Sequence, residues 1–278
     1  MQKIKIITDS TLDLPLEVVK KNDIEVMPLL INFGEDSYLD GVEITPAEMI
    51  ERINKENVLP TTAQITPTRF EETFKKYLDE GYKIVTLVLS SEMSGTYQSA
   101  CIARDVLESE DIVVIDSQNV TSGLGLLALK ACRLREDGST IEEIEKEILK
   151  TRDKVKSTLN FESLDNLVRG GRLPRVAGAI GTALGLRLIL EVRDGKMAVK
   201  DKVRGSKKAL KKLIADFEGV DVDFNEPVVL LELLNEDVYF GLKSYLEEKD
   251  IEYIDAKVGC TVGIHSGVKP CGLFFIVK

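Results

Sequence analysis

Tryptophan is absent from this chain, and histidine occurs once, as His265. The four cysteines, Cys101, Cys132, Cys260 and Cys271, form no CxxC pair. They read as reduced, packed thiols of a cytoplasmic protein, and a structural zinc site is not expected. No G-x-x-x-x-G-K-[ST] or G-x-G-x-x-G loop occurs, so no nucleotide site of the usual kinds is expected either. Basic residues fall short of acidic ones, 37 against 47, for a net charge of −10. That balance excludes a general nucleic-acid binder. No apolar run approaches the roughly 20 residues of a membrane span. Met1-Gln2-Lys3 leads directly into a strand pattern, so no signal segment is expected.

What remains is ample for a core. Hydrophobic residues make up 44% of 278 positions, enough for one large domain or two ordinary ones. The first half alternates strand and helix patterns. Strands are expected at 3–8, 25–33, 84–89 and 112–115. Helices are expected at 15–21, 46–54, 67–81, 95–107 and 120–135. Thr45-Pro46 and Thr66-Pro67 each supply a cap followed by proline at the first helical position. Such alternation implies a parallel sheet covered on both faces. An amphipathic helix at 141–154 reads as the bridge to the second half. There a strand at 157–161, a short helix to 168 and a small-residue helix at 176–184 come first. A hairpin follows around Asp194-Gly195, a favoured pair for a type I′ turn. Helices 206–217 and 237–248 flank a strand at 228–233, and strands 253–258 and 273–277 close the chain. The expected fold is α/β in two domains. Residues 1–155 form an N-terminal parallel-sheet α/β/α domain, and 156–278 a C-terminal two-layer mixed-sheet α/β domain.

Chemistry concentrates at strand ends, where open parallel sheets place ligands. Asp9-Ser10 and Asp116-Ser117 each follow an apolar strand and serve equally well as ordinary caps. The segment SSEMSGTYQSA, residues 90–100, is harder to dismiss, because one cap needs one hydroxyl. Ser94-Gly95-Thr96 falls where a helix begins, and its free amides and hydroxyls suit a small anion such as a carboxylate or phosphate. Ser94 as a nucleophile would need His265 as base, and the G-x-S-x-G elbow is missing. The polar run Thr61-Thr62-Ala63-Gln64 lies in an expected loop between two helices. Arg172 after Gly170-Gly171, and Arg204, are the candidate anion-binding arginines.

Seven segments in order resemble the DegV family of bacterial fatty-acid-binding proteins. They are IITDS at 6–10, TTAQ at 61–64, SSEMSGTYQSA at 90–100 and VIDS ending at Ser117. LVRGGRL at 167–173, VRGSKKAL at 203–210 and GIHSG at 263–267 complete the set. The resemblance spans nearly the whole chain. It implies a long-chain fatty acid in a buried apolar tunnel, with its carboxylate held by Thr62, Ser94 and His265. Thr61, Gly95, Thr96 and Arg172 would stand behind them. It further implies no catalysis by this chain and no cofactor. A separate ATP-dependent fatty-acid kinase would phosphorylate the presented carboxylate, with Arg204 beside the docking kinase. Tail-lining candidates are Phe161, Ile180, Leu184, Leu186, Ile189, Leu230 and Phe274. The chain departs from the family pattern at Ala63, Ile65, Arg187, Val268 and Lys269, with Lys269 expected near the head group. Two rival functions stand beside this one. One is a serine hydrolase using Ser94 and His265, and the other is a small-ketone-binding subunit like that of dihydroxyacetone kinase.

Overall fold

The structure, a computed structural model, describes residues 2–174 and 185–278. Strands β1 (Ile4–Asp9), β2 (Ile24–Met27), β6 (Lys83–Val88) and β7 (Ile112–Asp116) form a parallel sheet in the order β2-β1-β6-β7. Every residue of β1 is buried, as expected of a strand covered on both faces. Helices α3 (Pro67–Asp79) and α4 (Thr96–Leu107) cover one face, packing Phe70, Phe74 and Ala100 against Ile7, Ile84 and Val88. Helices α5 (Ser122–Glu136) and α6 (Ile141–Arg152) cover the other. The expected bridge at 141–154 is thus part of the parallel-sheet layer, and the chain crosses over at the turn Asp153-Lys154.

The second half builds a mixed sheet of β8 (Val155–Phe161), β9 (Leu186–Arg193), β10 (Lys196–Arg204), β11 (Val228–Glu232), β12 (Tyr253–Lys257) and β13 (Cys271–Ile276). Its order is β10-β9-β8-β13-β11-β12, and only β11 and β12 run parallel. Helices α8 (Ser206–Glu218) and α9 (Glu236–Glu248) pack on one face. The opposite face receives α5, which touches β1 and β6 on one side and β8, β11 and β13 on the other. This explains why the first half of α5 is buried around its whole circumference, with Leu124, Leu126, Leu127 and Ala128 fully buried, while Lys130, Arg133, Arg135 and Glu136 occur only in its last turns. One apolar cluster therefore runs from Ile6 through α5 to Phe274, shared by both sheets.

The expectations differ from the structure at two places in the first half. The strand expected at 25–33 breaks at Pro28-Leu29 into β2 and β3 (Leu30–Phe33), which lie in different sheets. Proline offers no amide to continue a ladder. The expected loop at 60–64 contains β5 (Thr61–Ala63), antiparallel to β3 with Thr62 opposite Ile31. With β4 (Asp36–Leu39) these make a small three-stranded sheet in the order β4-β3-β5. The helix expected at 176–184 lies outside the described residues. The remaining short helices are α1 (Leu16–Lys21), α2 (Pro46–Glu56), α7 (Asp165–Arg169) and α10 (Cys260–Ser266).

Candidate functional site

The hydroxyls of residues 90–100 have separate tasks. Ser91 donates through Oγ to Asp116 Oδ2 at 2.5 Å and through its amide to Oδ1 at 3.1 Å, tying the ends of β6 and β7 together. Ser99 accepts from Gln64 Nε2 at 3.0 Å, which ties α4 to the end of β5. Ser90 Oγ donates to the carbonyl of Gly195, in the β9–β10 turn, at 2.7 Å. Ser94 and Thr96 keep to each other: their hydroxyl oxygens are 3.0 Å apart, and the Thr96 amide donates to Ser94 Oγ at 3.3 Å. Gly95 sits at the N-cap position of α4. A methyl group there would lie 2.1 Å from Gln64 Oε1, so the glycine leaves room for the Gln64 side chain against the helix end.

Helix α10 carries His265. Asp40 accepts the amides of Cys260 and Thr261, at 3.1 and 3.3 Å, and the hydroxyl of Ser10 at 2.8 Å. Asp13 accepts the amide of Gly259 at 3.0 Å. These two buried carboxylates satisfy the otherwise orphaned first amides of the helix. Asp9 is buried with them and braces the strand end, accepting from the Thr11 amide and hydroxyl and from the Leu89 amide. Burial, only partly offset by these bonds, pushes the Asp9 carboxyl up to about 6. Burial and the neighbouring Asp40 push Asp13 well above the usual carboxylate range.

His265 Nε2 lies 2.9 Å from Thr62 Oγ1, across more than two hundred residues of chain. The other ring nitrogen is backed by Gly170, where a methyl group would sit 2.3 Å from Nδ1. Arg172 donates from Nε to the Met93 carbonyl at 3.0 Å and from Nη1 to the Gly170 carbonyl, joining the turn behind His265 to the loop that bears Ser94. Burial, and then the charge of Arg172, lower the His265 pKa to about 4. The imidazole is neutral at pH 7, with Arg172 the nearby positive charge.

Thr62, Gln64, Ser94, Gly95, Arg172 and His265 are among the residues that line a cavity of about 360 Å³ between the parallel and mixed sheets. Leu89, Met93, Val120, Leu159, Phe161, Leu167, Met197, Leu231, Val258 and Phe274 supply most of the rest. The volume lies in the range of about 300–1,000 Å³ usual for small-molecule sites. Among the described residues no group of three or more His, Cys, Asp or Glu side chains could hold a metal ion, and no helix is long and apolar enough to cross a membrane.

The sequence model of the family described as "Uncharacterised protein, DegV family" matches residues 3–278. The chain belongs to the DegV family. A DegV domain-containing protein of Clostridium perfringens is 59% identical to it over 276 residues, covering 99% of each chain. A second, from Clostridium acetobutylicum, is 55% identical over 278 residues, covering 100% of each. Among solved structures, a fatty-acid-binding DegV family protein from Thermus thermophilus superposes with a TM-score of 0.91 at 27% identity, with 100% of both chains covered. DegV of Bacillus subtilis, described as a fatty acid binding protein, gives 0.87 at 27% identity, again with full coverage. A stearic-acid-binding protein from Eubacterium ventriosum gives 0.85 at 26%, covering 100% of this chain and 99% of its own.

In this DegV chain the sequence-derived candidates separate by position. Thr62, Ser94, Gly95, Arg172 and His265 all line one cavity, where Thr62 and His265 are in direct contact. Thr96 is buried just behind Ser94, whereas Thr61 is exposed on β5. Arg204 is exposed at the end of β10, opposite Leu186 and away from the cavity lining. Of the tail candidates, Phe161 and Phe274 line the cavity. Ile189 and Leu230 face the other way, into the core beneath α8 and α9. Successive strand residues alternate faces, so Leu231 and not Leu230 reaches the cavity. Leu186 packs against the shared core without lining the cavity, and Ile180 and Leu184 lie outside the described residues. Lys269, expected near the head group, instead reaches Glu162 at 3.7 Å, which Arg187 also pairs with at 3.0 Å. Its backbone lies in the left-handed region, at φ 70°. Of the other departures, Ala63 lines the cavity and Ile65 is fully buried beneath α3 and α4. Sequence reading missed Asp40, Asp13 and Gly170 as supports of His265, because each acts through a contact distant along the chain.

Proposed function

We propose that this protein binds a long-chain fatty acid without catalysing a reaction itself and presents the carboxylate to a separate ATP-dependent kinase for acyl-phosphate formation. The observation that carries the reading is the cavity's lining. Thr62, Ser94, Arg172 and His265 line it beside a larger number of apolar side chains, leucine, methionine, valine and phenylalanine among them, with further hydroxyls from Thr11, Thr121, Thr261 and Ser266. The carboxylate would take hydrogen bonds from Thr62 Oγ1, Ser94 Oγ and the N–H of a neutral His265, with Arg172 supplying the compensating charge. Charge-assisted bonds of this kind are worth about 1.5–3 kcal/mol each. Burying about 14 methylenes at roughly 0.8 kcal/mol each contributes on the order of 11 kcal/mol before the costs of association. The tail therefore supplies most of the affinity and the cradle sets the orientation. The fatty-acid ligands of the Thermus thermophilus, Bacillus subtilis and Eubacterium ventriosum relatives support the same class of ligand here.

The hydrolase reading is weaker on two counts. Ser94 Oγ pairs with Thr96, while His265 Nε2 faces Thr62, so serine and base are not joined. A histidine whose pKa lies near 4 is also a poor general base at neutral pH. The apolar lining likewise disfavours a small polar ketone. Denaturing extraction and mass spectrometry of the purified protein test the proposal. A near-stoichiometric acyl carboxylate is expected. Protein that emerges empty and also fails to bind a fluorescent fatty acid would overturn it.

A further inference from the structure

The loop that carries Ser94 is held from the other sheet by a contact that neither the cradle nor the tail cavity accounts for. The β9–β10 turn reaches across to it. Asp194 and Gly195 both have positive φ, 50° and 75°, and Gly195 sits hard against Ser90: a methyl group on it would lie 2.5 Å from Ser90 Oγ. Ser90 is fully buried, and each of its polar groups is engaged. Its hydroxyl donates to the Gly195 carbonyl and accepts the Glu92 amide at 3.2 Å. Its amide donates to the Asn119 carbonyl at 2.8 Å, and its own carbonyl accepts the amides of Met93 and Ser94 at 3.0 and 3.1 Å. Ser90 is thus one hydrogen bond from the turn of the mixed sheet and one hydrogen bond from the backbone of Ser94. On the surface beside the junction, Lys196 pairs with Glu92 at 3.0 Å, and both side chains are exposed.

We infer that Ser90 and Gly195 are positioning residues for the anion cradle: the hairpin turn fixes Ser90, and Ser90 fixes the direction in which Ser94 presents its hydroxyl. The inference rests on the proposed carboxylate role of Ser94. It explains why glycine stands at the second turn position, where both the positive φ and the approach to Ser90 require it. A purely structural clasp would affect every ligand alike. A positioning clasp affects the part of binding that depends on the head group.

The test compares palmitic acid with hexadecanol, which has the same tail and no carboxylate, by competition against a fluorescent fatty acid. Ser90→Ala and Gly195→Ala are the two variants, each checked for thermal stability, and Lys196→Ala is the surface control. Both clasp variants should lose about fivefold to tenfold in affinity for the acid, as expected for one misdirected hydrogen bond. Hexadecanol affinity should change by less than about twofold, and Lys196→Ala should match wild type for both. Gly195→Ala leaves the Ser90 hydroxyl in place, so it reports on the turn alone should Ser90→Ala fold poorly. Equal losses for acid and alcohol in a folded variant, or no loss for either, would overturn the positioning role and leave the lipid reading intact. A wild type that binds neither ligand would overturn the lipid reading itself.

Discussion

His265 shows how burial sets the chemistry of one residue. Its pKa falls to about 4 because the imidazole is desolvated and Arg172 stands nearby. A folded pKa below the unfolded value near 6.5 means that the unfolded chain binds the extra proton first. The group's contribution to stability is therefore lost as pH falls from about 6.5 towards 4. Asp9 has the opposite sign. Its pKa of about 6 exceeds the model-peptide value, so folding is favoured at this group as pH falls from about 6 towards 3.8. The two groups offset each other across the mildly acid range. As the only histidine in the chain, His265 gives a single imidazole signal in NMR. A pH titration should place its pKa well below 6.5 in the ligand-free protein. Palmitate should raise it, because an adjacent carboxylate favours the charged imidazole, and Arg172→Gln should raise it in the free protein. A midpoint near 6.5 that neither change moves would contradict the electrostatic description of the site.

Asp13 yields a second prediction at the same scale. One carboxylate oxygen holds the Gly259 amide, while the other, Oδ2, is buried without a partner among the described residues. The residue is left-handed, at φ 45°, a conformation that asparagine adopts as readily as aspartate. Asp13→Asn keeps the bond to Gly259 and removes a charge whose ionisation is opposed by burial and by Asp40. The variant should be more stable than wild type at pH 8, with Tm raised by about 2–4 °C for each kcal/mol recovered. The difference should shrink on acidification, as the raised carboxyl of wild-type Asp13 takes up its proton. Thermal melts at pH 8 and pH 5 measure both effects, and a variant less stable at pH 8 would show that the ionised form is the one the fold requires.

At the scale of elements, legibility followed the range of the deciding contact. The alternating half was readable because local signals agree: Thr45 and Thr66 cap α2 and α3 just as the Thr-Pro pairs suggest. The β9–β10 hairpin followed from Asp194-Gly195 for the same reason. By contrast, β5 is three residues long and exists only because β3 lies beside it, so its polar sequence read as a loop. Helix α10 was missed because its caps are Asp13 and Asp40, more than two hundred positions away. Ser94 was legible from its place in a hydroxyl-rich helix start, but Thr62 and His265 were joined to it as a carboxylate cradle only through the family resemblance, because no local pattern links the three. Helix α5 shows how tertiary contact overrides local preference. Alanine is better than glycine in a helix by about 1 kcal/mol, so propensity favours Gly125→Ala. A methyl group there would meet the Leu12 carbonyl at 2.8 Å and Leu14 Cγ at 2.8 Å, and the carbonyl is backbone that cannot swing aside. Gly125→Ala should therefore lower Tm by several degrees, and an unchanged or higher Tm would show that α5 can shift away from the turn at Ser10–Leu12.

At the scale of the whole molecule, charge is unevenly spread. The chain carries a net charge of −10, yet Lys202, Arg204, Lys207, Lys208 and Lys211 all lie exposed along the end of β10 and the first turns of α8. Other cations of this stretch are neutralised: Lys200 by Glu191 and Asp216, Lys212 by Asp201 and Asp216. A cationic strip on an acidic protein steers the approach of an oppositely charged partner and contributes more to encounter than to bound-state energy. Within the proposed function this strip is the landing surface for the kinase, with Arg204 at its centre. Arg172 belongs to a different layer, stapling the Met93 and Gly170 carbonyls behind the cradle. The two arginines should therefore separate. Arg204→Ala should retain its lipid content and Tm while acyl-phosphate formation with kinase and ATP slows several-fold. Wild type should lose that advantage as ionic strength rises and the strip is screened. Arg172→Ala leaves two carbonyls without their donor and should lose stability or bound lipid first. If Arg204→Ala instead empties the protein while phosphorylation per bound lipid is unchanged, the arginine supports the pocket and the kinase lands elsewhere.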